Sequence, residues 1–134
     1  MTCYVCLDDK NGMLFNRRRQ SRDALVLEDI RSSIRQTLTI DVFSEKLIQQ
    51  AGIPYVLAPE DLAELPEDAH FFLEARSSLD AATADRIVLY RWNRHYPADT
   101  YWELDLAQHG FSLLETTEFP GKSHEMITKE VYAK

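Results

Sequence analysis

A chain of 134 residues suffices for one domain that buries roughly two-thirds of its unfolded surface, and no linker, repeat or low-complexity run divides it, so residues 1–134 are expected to form a single unit. The composition, 45% hydrophobic and 28% charged with four Gly and five Pro, is that of a globular α/β protein and excludes a disordered or disulfide-built one. Fifteen Lys and Arg against 22 Asp and Glu give a net charge of -7, a field that opposes nucleic acid. No apolar run approaches the ~20 residues of a membrane span and no signal-peptide pattern opens the chain, so no membrane partner and a cytoplasmic location are expected.

Thr2 to Leu7 is short, apolar and rich in strand formers, and Asp8-Asp9-Lys10-Asn11-Gly12 ends it. Cys3 and Cys6 have C-x-x-C spacing, but residues three apart on a strand point to opposite faces, so buried thiols are expected rather than a zinc or redox pair. Met13 to Gln20 reads as a loop carrying Arg17, Arg18 and Arg19. Ser21 is a suitable N-cap, Asp23 falls in the first turn, and Val26, Leu27, Ile30 and Ile34 repeat at helical spacing to about Ile34. Thr37 to Phe43 is a second strand, Ser44 caps a short helix Glu45 to Gln50 stopped by Ala51-Gly52, and Ile53 to Leu57 is a third strand.

Pro59 opens an acidic helical segment, His70 to Leu73 is a fourth strand, and Ser77 to Ala82 a short helix. Ile87 to Trp92 is apolar on both faces, Val88, Tyr90 and Trp92 on one and Ile87 and Leu89 on the other, as in the interior of a covered sheet. A polar loop, Asn93 to Asp99, leads to an aromatic segment, Thr100 to Leu104. Phe111 to Phe119 and Met126 to Tyr132, separated by Pro120-Gly121-Lys122-Ser123, read as an antiparallel hairpin. The expected fold class is α/β: three layers, a mixed and mostly parallel sheet with helices on both faces, and a C-terminal antiparallel hairpin.

Arg17, Arg18, Arg19 and Arg22, with Arg91, Arg94 and His95, could form a positive rim for an anionic ligand, or be a solvated loop paired with the acidic excess. His70, His95, His109 and His124 show no metal spacing, and no Ser-His-Asp or Cys-His arrangement stands out, so no metal is expected.

Several of these residues together resemble the dihydrofolate reductases: Asp9 to Leu14 after the first strand, Ala84-Asp85 before the strand of Ile87 to Trp92, Asp99-Thr100, Trp102, Phe111 and Ser123-His124, in the family's order and at similar spacing. The likeness covers about the first 35 and the last 60 residues. It implies a cleft between the first helix and the Ile87–Trp92 strand, lined by Phe15, Leu27 and Tyr90 with Arg18 and Arg19 at its mouth, and a loop-holding role for Asp99. The family's helix carboxylate, which binds a pterin and assists proton transfer, falls at Leu25 by an ungapped count, at Asp23 with a two-residue gap, or further on at Glu28 or Asp29; Asp23 is the candidate catalytic acid, beside its ordinary reading as a first-turn helix acid.

Four departures from the family bear on function. Glu74-Ala75 stands where a Gly-Gly pair admits a cofactor pyrophosphate, and Val42-Phe43-Ser44-Glu45 where an Arg-Thr pair holds phosphates. Phe15 replaces a loop glycine and the Pro-Trp pair is absent, and the chain is short between Gly52 and His70, where the family builds its adenosine pocket. The resemblance therefore implies a divergent, non-catalytic domain with no NADPH site, binding a small anionic or heterocyclic ligand or a protein partner in the residual cleft. Its alternative is an NADPH-dependent reductase of a pterin-like substrate, with Asp23 as acid and the arginine loop holding phosphates. Tyr96, Tyr101 or Trp102 could serve a homo-oligomer interface.

Overall fold

A computed structural model describes residues 1–76 and 79–134. Its seven-stranded sheet runs in the order β5-β4-β6-β1-β7-β10-β9, with β1 (Thr2–Leu7) at the centre, β4 (Leu38–Ile40), β5 (Tyr55–Leu57) and β6 (His70–Leu73) to one side, and β7 (Arg86–Arg91), β10 (Ile127–Ala133) and β9 (Ser112–Phe119) to the other. Neighbours pair in parallel except at β10, which is antiparallel to both β7 and β9. A second sheet, β3-β2-β8, joins β2 (Gly12–Phe15), β3 (Arg18–Arg19) and β8 (Thr100–Tyr101).

Strand alternation sorts the core into two clusters. Cys3, Val5, Leu7, Phe71, Leu73, Ile87 and Leu89 face one side; Tyr4, Phe72, Val88, Tyr90 and Trp92 face the other. Helices α1 (Ala24–Ser33) and α2 (Glu45–Ala51) both cover the second side with Val26, Leu27, Ile30, Leu47 and Ile48. The first side is covered by Met13 and Leu14 of β2, by Leu62 and Ala81 of two 3-10 turns (Leu62–Glu64 and Ala81–Thr83), and by Trp102 and Phe111. Each fully buried Leu or Ile contributes about 2 kcal/mol of transfer free energy, so both faces are firmly held. Cys3 and Cys6 lie on opposite faces as free thiols, and burial pushes both thiol pKa values up.

Some elements differ from their sequence expectation. The expected loop Met13 to Gln20 is a β-hairpin, because Asn16 and Arg17 adopt φ of 54° and 61°, the left-handed pair that a tight two-residue turn requires. Helix α1 starts two residues later than the Ser21 cap implied: the N-cap is Asp23, whose carboxylate accepts the Leu25 N–H at 2.9 Å. The second strand shortens to Leu38–Ile40 and passes into a 3-10 turn, Val42–Ser44, and the third to Tyr55–Leu57. The acidic segment after Pro59 yields only the turn Leu62–Glu64. Of the helix expected at Ser77 to Ala82, Ser77 and Ser78 lie outside the described residues, and Ala81–Thr83 forms a 3-10 turn. The Ile87 to Trp92 strand is interior but stands beside the central β1. No described helix is long and apolar enough to cross a membrane.

Candidate functional site

Where neighbouring strands of an open sheet send their connections to opposite faces, a crevice opens beyond their carboxyl ends. Here β1 continues into α1 on one face, while β6 leads to Leu79 and Ala81 on the other. The crevice between β1 and β6 is filled by the chain itself. Arg19 of β3 lays its guanidinium on Glu74, just past β6, with both N···O distances 2.6 Å, and Ser44 donates its hydroxyl to the same carboxylate at 2.7 Å. Arg19 also stacks over the Phe43 ring at 5.3 Å, and the ion pair holds its pKa above the usual range. What remains of the crevice is two cavities of about 20 Å³ each, which share Cys6, Ser21, Glu74 and Trp92.

Asp23 stands at the α1 edge of this crevice, 1% exposed. Besides capping the helix it accepts the N–H groups of Lys122 at 3.0 Å and Ser123 at 2.8 Å, and lies 2.9 Å from His124 Nδ1. Burial alone would raise its pKa; the hydrogen bonds from His124, Lys122, Ser123 and Leu25 outweigh that and bring it down to about 2. The turn can come this close because residue 121 is glycine: a Cβ there would sit 2.6 Å from Asp23 Oδ2. The His124 ring stacks on Trp92 at 4.5 Å, and its Nε2 lies 3.0 Å from Ser21 Oγ and 3.1 Å from the Tyr96 hydroxyl.

A second buried carboxylate, Asp8, directly follows β1. It accepts from Gly12 N at 2.7 Å, Lys10 N at 2.9 Å, Gln20 Nε2 at 3.0 Å and Tyr96 N at 3.3 Å. Burial opposes its ionisation, but these bonds together lower its pKa. Asp99 accepts the Asn16 N–H at 3.0 Å and so ties the β2–β3 turn to the loop after β7.

The remaining residues singled out in the sequence fall into separate places. Phe15 and Arg18 are exposed and, with Arg19, Gln20 and Tyr96, line an open pocket of about 650 Å³ outside the crevice. Leu27 lines a groove of about 810 Å³ between α1 and α2, whose rim carries Arg22, Arg31 and Lys122 and whose floor includes Leu47 and Ile53. Tyr90 lines neither: it is fully buried and donates its hydroxyl to Asp29 at 2.5 Å, which also pairs with Lys129 at 2.8 Å. Arg91 pairs with Glu130 at 2.9 Å and reaches Asn11. Among the described residues no group of His, Cys, Asp and Glu has the arrangement of a metal site.

Sequence reasoning missed the meeting of Ser21, Asp23, Tyr96 and His124. His124 stands 28 to 103 residues from the other three, so no local pattern in the sequence marks the group. No family model and no curated protein matches the chain. A search of solved structures finds a dihydrofolate reductase from Enterococcus faecalis, described as complexed with NADP(H) and RAB-propyl, with a TM-score of 0.69 and 10% identity over 98% of this chain and 94% of that one. The fold is thus that of the dihydrofolate reductases, at a sequence distance that speaks to fold alone.

Proposed function

We propose that this chain is a ligand-binding domain on a dihydrofolate-reductase-like fold, one that takes a small anionic, partly apolar molecule in the groove between α1 and α2 and does not use NADPH. The observation that carries this reading is the Arg19–Glu74 pair. A bidentate guanidinium–carboxylate bond, joined by Ser44, fills the crevice where a dinucleotide phosphate would need open backbone amides. Arg19 is thereby engaged and unavailable to a phosphate, and Asp23 has its oxygens directed at four donors. A carboxyl held near pKa 2 is ionised at neutral pH and has no proton to donate to a substrate.

The α1–α2 groove has the opposite character. Leu27, Leu47 and Ile53 give an apolar floor and Arg22, Arg31 and Lys122 a cationic rim, with Glu28 the acid beside them. On a molecule of net charge -7 such a local reversal of sign selects an anion. Anilinonaphthalene sulfonate, an anionic aromatic probe, is expected to bind saturably with enhanced fluorescence. The double variant Arg31→Glu, Lys122→Glu should weaken that binding about tenfold, and added salt should weaken wild-type binding. Binding unchanged in the double variant would exclude this groove.

A further inference from the structure

We propose that Ser21, His124 and Asp23 form a nucleophilic relay able to cleave carboxylic esters with a short acyl group. Three features of the geometry carry this, and none depends on occupancy of the α1–α2 groove. Ser21 Oγ, His124 Nε2, His124 Nδ1 and Asp23 Oδ2 are joined in series by contacts of 3.0 and 2.9 Å, the order in which a serine hydroxyl, an imidazole base and an orienting carboxylate must stand. The carboxylate is fixed from outside the relay by the Leu25, Lys122 and Ser123 N–H groups, so Asp23 is left to accept the Nδ1 proton and to hold Nε2 as the acceptor facing Ser21. Stacking on Trp92 fixes the plane of the ring.

The nucleophile also has somewhere to work. Ser21 is half-buried and lines both small cavities, Asp23 borders one of them, and His124 is buried and lines neither. At about 20 Å³ each, the cavities hold about one water-sized group apiece, so the two together limit the acyl portion to something near acetyl. The backbone N–H groups of Ser21 and Arg22 donate to no group among the described residues, and the N–H following a nucleophilic serine is the one that hydrolases turn to a developing oxyanion. Tyr96, 3.4 Å from Ser21 Oγ, borders the open pocket through which the leaving group would depart.

The chemistry balances with water as the second substrate. Ser21 Oγ attacks the ester carbonyl carbon while its proton passes to His124 Nε2. The bond to the leaving alcohol breaks as that proton is returned to it, and the acyl group remains on Ser21. Water, giving its proton to the same nitrogen, then attacks the acyl-serine and releases the carboxylic acid and the free hydroxyl.

The experiment is labelling of the full chain with methanesulfonyl fluoride, a serine-directed reagent of about acetyl size, read by intact mass and by the mass of the Ser21 peptide, alongside hydrolysis of p-nitrophenyl acetate. The expected result is one label, on Ser21, and ester turnover that falls to background in Ser21→Ala. His124→Ala should slow labelling by about a hundredfold or more. Ser21 contributes only its contacts to His124 and Tyr96, so Ser21→Ala keeps the fold, checked by circular dichroism, and the comparison stands on it even where His124→Ala unfolds. An unlabelled wild type, a label elsewhere that persists equally in Ser21→Ala, or an undiminished rate in folded His124→Ala would overturn the proposal.

Discussion

At Asp23 a single carboxylate does the work of a helix cap and of a clasp. It begins α1 through Leu25 N and holds the turn before β10 through Lys122, Ser123 and His124, residues 99 to 101 positions away. Gly121 belongs to the same unit, since any side chain there would enter the space of the Asp23 oxygens. The folded-state pKa of about 2 lies below the ordinary 3.8, so ionised Asp23 stabilises the fold in full above pH 4 and that stabilisation is lost as pH falls through about 2. The difference is worth about 2 kcal/mol at neutral pH. Asp8, shifted in the same direction, adds to the same window. Urea denaturation across pH 2 to 7 should therefore show a steep loss of stability between pH 4 and 2. Asp23→Asn should lose about 2 kcal/mol at pH 7 and show a flatter acid limb; an acid limb as steep as the wild type's would assign the titration elsewhere.

The hairpin β2–β3, the end of β6 and the 3-10 turn after β4 are fastened to one another by Arg19, Glu74 and Ser44. This latch was only half legible. The sequence showed an acid at residue 74 where a phosphate site needs glycine, and a basic run at residues 17–19, but not that one answers the other across 55 residues. The hairpin itself was hidden because Asn16-Arg17 lacks the glycine that usually marks such a turn. The Ser44 hydroxyl, available by position to cap α2, is instead drawn to Glu74. Both charged side chains are mostly shielded, 23% and 11% exposed, so removing one leaves the other without its partner. Arg19→Ala and Glu74→Ala are each expected to cost about 2 kcal/mol. The double variant should cost less than the sum of the two, with a coupling of about 1 kcal/mol or more in a thermal or urea double-mutant cycle. Strict additivity would show that the pair does not hold the crevice shut.

Across the whole molecule the two-faced pattern of Ile87 to Trp92 and the alternation in β1 were read correctly from sequence, because burial on both faces of a sheet imposes apolar residues at every position. The terminal hairpin was legible for the same reason that most hairpins are, a proline–glycine turn between two strand-like runs. The cover on the first face was not, since short 3-10 turns and the small β3-β2-β8 sheet leave no long period in the sequence. Nor was the site, which is assembled from loop residues contributed by both halves of the chain. Together these place a reductase-like scaffold around a crevice that its own side chains occupy. The direct test is titration of the full chain with NADPH, followed by cofactor fluorescence and calorimetry. No saturable change is expected, and saturable binding at micromolar NADPH would show that the crevice still opens to a dinucleotide.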